Sequence, residues 1–387
     1  MLLWRFVGRT NVILSNGVNW QRHSRVVKSA LNRNVPIEKF ASLTKRLFSV
    51  MGDGGRLLTF STTLTEASRF ILCLLSGTTA LGHDFNTIVD NHSPFVAKYN
   101  EVMDSIASPL FLVFPKLETW FPRKHVIRKI DDLVNDFGKL LEDKKQRPGN
   151  DMLTYMLEEP EMTDEEFRDN MVVFFIAGHD TTAGAMSSFV YYLSKHPEAQ
   201  VRARKEVVAA LGKDEPNIEN LRHMPFLQAC IRESLRINTP IVSCLSLMVI
   251  LSPILRAIIP DLCSNGKSYH IPAKASVIMN ICAIHYNETY WPNPYKFDPT
   301  RFMNQGDGEE ARIDASLWLP FALGPRQCPA RNFAMYELRT LASMLLQQWE
   351  WNLPADSPHH DSIKNGFSPF ALSLPKDMDI IFRRVEQ

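Results

Sequence analysis

The first half of the chain is dominated by the spacing of hydrophobic residues that is typical of amphipathic helices. Apolar residues recur every three or four positions in a segment that begins near Asn19 and in another at about residues 122–145. A longer pattern covers residues 163–194, and Thr163 with Glu166 forms a capping box at its start. At a rise of about 1.5 Å per residue, this helix would be about 45 Å long. The pattern therefore predicts one helix that crosses the whole domain and is buried at its centre.

Shorter elements follow the long helix. They are predicted at residues 197–211 and 218–236 (helices), 268–272 and 275–281 (strands), and 332–346 (a last helix). Because no repeat, low-complexity tract or linker divides the chain, we predict a single domain over residues 1–387. Its predicted class is α+β, mainly α, with a long central helix and small β-sheets.

Composition excludes some classes of partner. The chain has 387 residues, of which 45% are hydrophobic, with 43 basic and 42 acidic side chains. This near balance of charge gives no reason to expect nucleic acid as a partner. Six cysteines are scattered along the chain without the spacing of disulfide or metal sites. We interpret five of them as reduced core thiols in a reducing compartment.

The sixth cysteine, Cys328, is different because it ends the pattern Phe-x-x-Gly-x-Arg-x-Cys, formed by Phe321, Gly324, Arg326 and Cys328. A helical pattern starts directly after it. The helix dipole and the Arg326 guanidinium are both expected to favour the anionic form of the sulfur. Gly324 allows the tight bend that brings backbone amides toward that sulfur. The loop is therefore a candidate metal site with one thiolate ligand.

The residues around Cys328 narrow the choice of metal. A zinc ion would need three more ligands nearby, and no second Cys or His lies within thirty residues. A single thiolate suits haem iron much better.

The centre of the long helix carries polar residues where a buried helix would be expected to be apolar. Residues 177–182 read Ala-Gly-His-Asp-Thr-Thr, which is a poor helix-forming sequence. The Thr181 hydroxyl can donate back to the carbonyl of Ala177 and open the helix locally. Such a notch, with Asp180 beside it, can hold water, oxygen and a proton donor. The alternative is a helix–helix contact made by small residues.

Glu233 and Arg236 lie three residues apart, on one face of a predicted helix. Such a pair is common on protein surfaces and is weak evidence alone. The pair becomes stronger evidence together with Arg301, which lies between it and the cysteine loop in the sequence Phe297-Asp-Pro-Thr-Arg301-Phe302.

In this order, the four motifs resemble those of the cytochrome P450 superfamily of haem-thiolate monooxygenases, of the eukaryotic microsomal type. The resemblance implies that Cys328 is the axial thiolate of haem b, with Phe321 packed near it and Arg326 bound to a haem propionate. It implies that Asp180 and Thr181 deliver protons during catalysis. It also implies that Glu233, Arg236 and Arg301 form a structural triad that supports the haem-binding core.

The implied activity is insertion of one oxygen atom from O2 into a lipophilic small molecule. Because no Gly-rich nucleotide-binding motif is present, the electrons are expected from a separate NADPH-dependent reductase. Two alternatives remain: an isomerase or peroxide-using haem-thiolate enzyme, and a non-catalytic fragment that does not keep haem. A full-length form with a membrane anchor is expected on the cytosolic face of the endoplasmic reticulum. The chain as given has no anchor and is expected in the cytoplasm.

The chain departs from the family pattern at its start. Trp20 resembles the Trp of the family's Trp-x-x-x-Arg helix and is a candidate propionate contact, but Ser24 stands where the Arg is expected and Arg25 follows one residue later. The family's anchor and the first part of its sheet normally precede this helix. We therefore expect an N-terminally truncated member of the fold.

Two further departures concern the haem environment. Residues 243–255 interrupt the family pattern after the Glu233 helix, and without them Arg256 would take the place of another propionate-binding Arg. We predict an insertion there, such as translated intron; the alternative is a substrate-facing loop peculiar to this enzyme. Ala330 replaces a usual Gly two residues after Cys328, a small change that we expect the fold to tolerate.

Overall fold

The computed structural model describes residues 2–60, 82–83, 94–106, 108, 110–111, 114, 116–159, 161–246, 261–264, 267–270, 277–304, 309–367 and 372–386. Its α-helices are α1 (Leu2–Val7), α2 (Gly17–Arg33), α3 (Ile37–Met51), α4 (Pro94–Ile106), α5 (Leu117–Trp120), α6 (Lys124–Gln146), α7 (Met152–Leu157), α8 (Asp164–Lys195), α9 (Pro197–Leu211), α10 (Pro225–Ile237), α11 (Ile281–His285) and α12 (Arg331–Gln348). Its strands are β1 (Gly54–Phe60), β2 (Ser243–Ser246), β3 (Asp261–Ser264), β4 (Lys267–His270), β5 (Val277–Asn280), β6 (Trp349–Asn352), β7 (Asn365–Phe367), β8 (Ser373–Pro375) and β9 (Met378–Arg384).

The long helix α8 is the centre of the fold, as predicted. Its capping box is present: the Glu166 amide donates to Thr163 Oγ1 at 3.3 Å, and the Thr163 amide donates to Glu166 Oε2 at 2.9 Å. Helices α1, α6, α10 and α12 and strand β8 all pack against α8. Its middle is therefore covered on several sides, which explains why its sequence is apolar around most of its circumference.

The strands form small antiparallel sheets beside the helices. The largest has the order β1–β9–β6, with Gly54 opposite Arg383 and Trp349 opposite Arg384. Trp349 and Trp351 alternate with exposed residues along β6 and turn into the core. The two-stranded pairs are β2–β5, β3–β4 and β7–β8. The predicted class, mainly α with small sheets, is confirmed.

Two predicted boundaries are wrong. The helix predicted from residue 218 begins at Pro225, because proline is favoured in the first helical turn, and a short 3-10 helix (Asn220–His223) precedes it. The strand predicted through residue 281 ends at Asn280, whose side chain accepts from the Ala283 amide and starts α11.

The predicted insertion lies mostly outside the described residues. Its first residues, Ser243–Ser246, form β2 and pair with β5, while residues 247–255 are outside the described part. The insertion stays a prediction. Among the described helices, none has the length and apolar character needed to cross a membrane.

Candidate functional site

The cysteine loop presents Cys328 just before α12. Gly324 turns the loop with a positive φ of 83°, and its carbonyl accepts from the Gln327 amide at 3.0 Å. The Cys328 amide donates to the Phe321 carbonyl at 2.9 Å, which closes the loop on itself. The Ala330 amide hydrogen-bonds to the Cys328 sulfur. The loop thus holds the sulfur at the start of a helix, with a backbone amide directed at it.

The electrostatic prediction for Cys328 is wrong in one respect. Burial raises the pKa of the thiol, and the bond from the Ala330 amide offsets this only in part. Arg326 was expected to lower the pKa of the thiol, but its guanidinium instead donates hydrogen bonds to Ser15 and Asn16, just before α2. A bound metal cation would supply the missing positive charge, since a coordinating thiol is deprotonated outright. Without a bound cation, the surroundings of the sulfur therefore favour the protonated thiol over the thiolate.

Arg326 and Trp20, both predicted propionate contacts, lie together. The guanidinium carbon is 4.4 Å from the centre of the Trp20 ring. The guanidinium donates to the carbonyls of Ser15 at 2.8 Å and Ile13 at 3.3 Å, and to Asn16 Oδ1 at 2.9 Å. Its Nε atom is buried and has no acceptor among the described residues. Burial also lowers the pKa of Arg326, and a carboxylate would offset that cost.

The structure accounts for the displaced arginine on α2. Arg25 forms an ion pair with Glu161 at the surface, whereas Ser24 is buried. One residue corresponds to about 100° of helix rotation, so Arg25 cannot take the place that Ser24 occupies. Arg256, the other predicted propionate ligand, lies outside the described residues.

The predicted hydrogen bond in the centre of α8 is present. Thr181 Oγ1 donates to the Ala177 carbonyl at 2.6 Å, and Asp180 lies beside it, half-buried. The helix continues as an α-helix through these residues, so the predicted local opening is not seen. The next residue, Thr182, hydrogen-bonds to Glu337 of α12, the helix that follows Cys328. The polar residues of α8 are thus joined to the helix that starts at the cysteine loop.

The structure brings Glu233, Arg236 and Arg301 together in the core. Arg236 donates from Nε to Glu233 Oε2 at 2.7 Å and from Nη2 to Oε1 at 2.9 Å, with both side chains fully buried. Arg301 Nε donates to Glu233 Oε1 at 3.3 Å. Arg236 also donates to the carbonyls of His285 at 2.6 Å and Pro294 at 2.7 Å. The pair is therefore buried in the core, where it joins α10 to the end of α11 and to the segment that follows α11, and it is not a surface ion pair.

Two buried titratable residues near this site were not singled out by the sequence. Burial raises the pKa of Glu337 to about 8 and lowers the pKa of His285 to about 4. A signal for Glu337 was present, because it lies four residues from both Phe333 and Leu341 and so shares the apolar face of α12. His285 ends a short apolar run and carries no comparable signal.

The described residues contain no cluster of three or more His, Cys, Asp or Glu side chains arranged for a metal ion. Cys328 lies two residues before Ala330, the N-cap of α12, and a single cysteine is the ligand by which haem-thiolate proteins hold their iron. Residues 5–380 match the model of the cytochrome P450 family. The chain belongs to that family.

Curated relatives agree with this assignment. A human protein, cytochrome P450 4F11, is 27% identical over 372 residues, which cover 87% of this chain and 67% of that protein. Leukotriene-B4 omega-hydroxylase 3 from mouse is 28% identical over 377 residues, covering 89% of this chain and 69% of the mouse protein. Both belong to animals, in keeping with the eukaryotic type that was predicted.

Solved structures show the same fold. The haem domain of cytochrome P450DA superposes with a TM-score of 0.77 at 20% identity, covering 99% of this chain and 80% of that one. The retinoic acid-bound cyanobacterial CYP120A1 gives a TM-score of 0.75 at 21% identity, covering 98% and 82%. By family, this chain is a cytochrome P450 monooxygenase whose cofactor is haem, held by a cysteine thiolate.

Proposed function

We propose that Cys328 is the haem ligand and that the chain hydroxylates a lipophilic small molecule with O2. The observation that carries this proposal is the cysteine loop. It holds the Cys328 sulfur at the start of α12, while Arg326, two residues earlier, is stacked on Trp20 with a buried Nε that lacks an acceptor. A haem with its propionates toward Arg326 would satisfy both groups at once.

The bound haem would supply oxygen activation, which the thiolate promotes by pushing electron density toward the iron. The chain's own residues then have distinct tasks. Cys328 binds the metal, and the Ala330 amide steadies its sulfur. Arg326 and Trp20 orient the propionates, together with Arg256 in our proposal. Glu233, Arg236 and Arg301 hold the surrounding backbone in place.

Thr181 and Asp180 are proposed to move protons to the oxygen-binding side. In the structure the Thr181 hydroxyl hydrogen is directed to the Ala177 carbonyl. A hydroxyl can rotate about its C–O bond, so the Thr181 hydroxyl can donate its hydrogen bond to a group in the pocket instead of to the Ala177 carbonyl. Asp180, the residue before Thr181 on the same turn, would pass protons from water to the Thr181 hydroxyl.

The substrate class is proposed from the relatives. The mouse relative is named as an omega-hydroxylase of leukotriene B4. We therefore propose a long-chain lipid, oxidised at or near the end of its chain, as the first substrate to test. The electrons are proposed to come from a separate NADPH-dependent reductase, on the cytosolic face of the endoplasmic reticulum.

A reduced carbon monoxide difference spectrum of the purified, haem-supplied chain tests the proposal. The expected result is the red-shifted Soret band of a thiolate ligand, lost in Cys328→Ser and kept in Cys282→Ser, a matched change at another cysteine outside the loop. Absence of the band in the unsubstituted chain would support a fragment that does not keep haem. Turnover with peroxide but not with NADPH and reductase would support a peroxide-using enzyme.

A further inference from the structure

His285, the last residue of α11, connects two parts of the structure that the sequence motifs treat separately. Its side chain is fully buried, with 0% of its surface exposed. Its Nδ1 lies 3.0 Å from the Arg236 carbonyl oxygen, and the Leu319 amide donates to its Nε2 at 2.9 Å. In return, Arg236 Nη1 donates to the His285 carbonyl at 2.6 Å. His285 and Arg236 are thus bonded to each other in both directions.

These contacts fix the tautomer of His285. A backbone amide such as that of Leu319 can only donate, so Nε2 must be the unprotonated nitrogen. A backbone carbonyl such as that of Arg236 can only accept, so Nδ1 must carry the hydrogen. Both bonds form at once only when the imidazole is neutral, with its single hydrogen on Nδ1.

Leu319 lies at the entrance to the cysteine loop. It precedes Phe321 by two residues, and the Phe321 carbonyl accepts from the Cys328 amide at 2.9 Å. The neighbouring Trp318 donates from Nε1 to the Arg232 carbonyl of α10 at 3.0 Å. The segment that leads into the loop is therefore attached to α10 directly through Trp318 and indirectly through His285.

We propose that His285 is a positioning residue for the haem ligand: its neutral, Nδ1-protonated imidazole sets the spacing between α10 and the segment that leads to Cys328. The inference rests on the proposed function for the role of Cys328, while the clamp between Arg236 and Leu319 stands on the contacts alone. Loss of the imidazole would allow residues 317–321 to move and would weaken the hold on the sulfur.

The surroundings keep this imidazole neutral. Burial lowers its pKa to about 4, and the positive charge of Arg236 acts in the same direction. Glu233 is paired with Arg236, and the titratable side chains close to His285 in the chain are Cys282, three residues before it, and Tyr286, directly after it. Residues 317–321, Leu-Trp-Leu-Pro-Phe, bring no charged side chain. The imidazole is therefore neutral near pH 7, where both hydrogen bonds of the clamp can form.

Histidine substitutions at two sites separate positioning from stability. His359 is a matched control, because it is also 0% exposed, accepts from the Lys364 amide at 3.1 Å on Nδ1 and lies 3.0 Å from the Lys376 carbonyl on Nε2. It stands beside the β7–β8 pair and not beside the cysteine loop. The variants are His285→Phe and His285→Gln, with His359→Phe and His359→Gln as controls.

The first readout is hydrogen–deuterium exchange in the haem-free and haem-supplied chains. In His285→Phe, we expect exchange in peptides covering residues 317–328 to rise roughly tenfold, the factor that corresponds to the loss of about one hydrogen bond. In His285→Gln, whose side chain can still offer one acceptor, the exchange rate should rise less. His359→Phe should affect peptides near residues 359–376 only. Unchanged exchange at residues 317–328 in both His285 variants would overturn the proposal.

The second readout is the carbon monoxide difference spectrum. His285→Phe should shift intensity from the thiolate band to the band of a protonated or displaced thiol, with partial rescue in His285→Gln. An equal shift in His359→Phe would show that the effect is general destabilisation and would also overturn the proposal. If the unsubstituted chain shows no thiolate band, the proposed function fails, and the exchange experiment still decides the role of His285.

Discussion

The hydroxyl of Thr182 on α8 hydrogen-bonds to the carboxyl group of Glu337 on α12, so the central helix and the helix after Cys328 share a polar contact inside the core. Within the described residues, Glu337 Oε1 and the nearby Thr340 Oγ1 have no hydrogen-bond partner. Burial raises the pKa of Glu337 to about 8, which keeps its carboxyl largely protonated at neutral pH.

Glu337→Gln should therefore make the protein more stable at high pH. The pKa of Glu337 is raised in the folded state from 4.5 to about 8. Between these values the folded protein binds more protons than the unfolded chain, so stability falls as pH rises. At about 1.4 kcal/mol per pH unit, the loss by pH 8 is on the order of 4 kcal/mol. Thermal unfolding of the parent and of Glu337→Gln at pH 5 and pH 8 measures this loss of stability.

The glutamine variant has no carboxyl to ionise and should match the parent at pH 5 but exceed it at pH 8. Thr182→Val in the same measurements removes only the hydroxyl contact. It should further reduce stability at high pH, because the ionised carboxylate then loses its donor. A Glu337→Gln variant that is less stable than the parent at both pH values would contradict this reading of the contact.

Arg236 should matter more for stability than Arg301. Arg236 is fully buried and donates to both Glu233 oxygens and to two carbonyls, whereas the Arg301 side chain keeps 11% exposure and makes a 3.3 Å contact to Glu233. Removing one partner of a buried pair typically costs about 3–5 kcal/mol. We expect Arg236→Ala to lose about that amount and Arg301→Ala roughly 1–2 kcal/mol. Denaturant unfolding measures the free energy of unfolding of both variants, and equal losses in the two would refute this ranking.

Local signals explain which parts of the fold the sequence predicted well. The start of α8 follows from the capping box at Thr163, and α9 lies between Pro197 and Gly212 as predicted. Capping residues, prolines and glycines act over a few positions, so a single sequence is enough to read them. The cysteine loop and the Glu233–Arg236 pair were found for the same reason, because each is a short motif.

The contacts that the sequence could not predict depend on tertiary structure. Arg326 lies two residues from Cys328 in the chain, yet its guanidinium donates to the carbonyls before α2, which are more than 300 residues away in the sequence. His285 gains its role only when the segment at Leu319 folds onto α10. Side-chain direction in a bent loop and pairing between distant segments leave no periodic pattern in the sequence.

Arg326→Ala should release haem faster than Trp20→Phe does. The alanine removes the stacked guanidinium, its bonds to Ser15 and Asn16, and the buried Nε donor. Phenylalanine at residue 20 keeps an aromatic face for the cation. We expect haem transfer to an excess of acceptor apoprotein to speed up about tenfold or more for Arg326→Ala, since charged hydrogen bonds contribute about 1.5–3 kcal/mol.

Arg326→Lys separates charge from geometry in that experiment. Lysine keeps the charge but cannot form the planar fork that reaches two acceptors and stacks on Trp20. Its release rate should lie between those of the parent and Arg326→Ala. Haem release from Arg326→Ala at the parental rate would remove the propionate assignment while leaving Cys328 as ligand untouched.

Thr181→Ala should reduce product formation without loss of haem. The Thr181 hydroxyl donates to Ala177 within α8, and alanine favours the helix, so the fold should be kept. A missing proton-transfer hydroxyl typically costs 10²–10⁴-fold in rate. We expect at least a tenfold lower yield of hydroxylated product per NADPH consumed, with Thr181→Ser close to the parent. Equal coupling in Thr181→Ala and the parent would show that another group carries the protons.

Gly184→Ala should be destabilising although it replaces glycine inside a helix. An added Cβ at Gly184 would lie 2.2 Å from Leu374 Cδ2, a buried side chain of β8. Alanine normally stabilises a helix interior by about 1 kcal/mol over glycine, but overpacking a core costs about 1–3 kcal/mol. Gly138→Ala in α6 is the control, because a Cβ there meets nothing within 4 Å, and it should be stabilising.

The effect of Gly184→Ala on stability should change from unfavourable to favourable when Leu374 is shortened to alanine. Leu374→Ala alone is expected to cost about 2–5 kcal/mol through the cavity it leaves. In that background the clash is removed, so adding Gly184→Ala should raise stability instead of lowering it. Thermal unfolding of the four proteins in a double-mutant cycle measures this coupling. If Gly184→Ala changes stability by the same amount in both backgrounds, the two residues do not constrain each other and β8 is not held against α8 at this point.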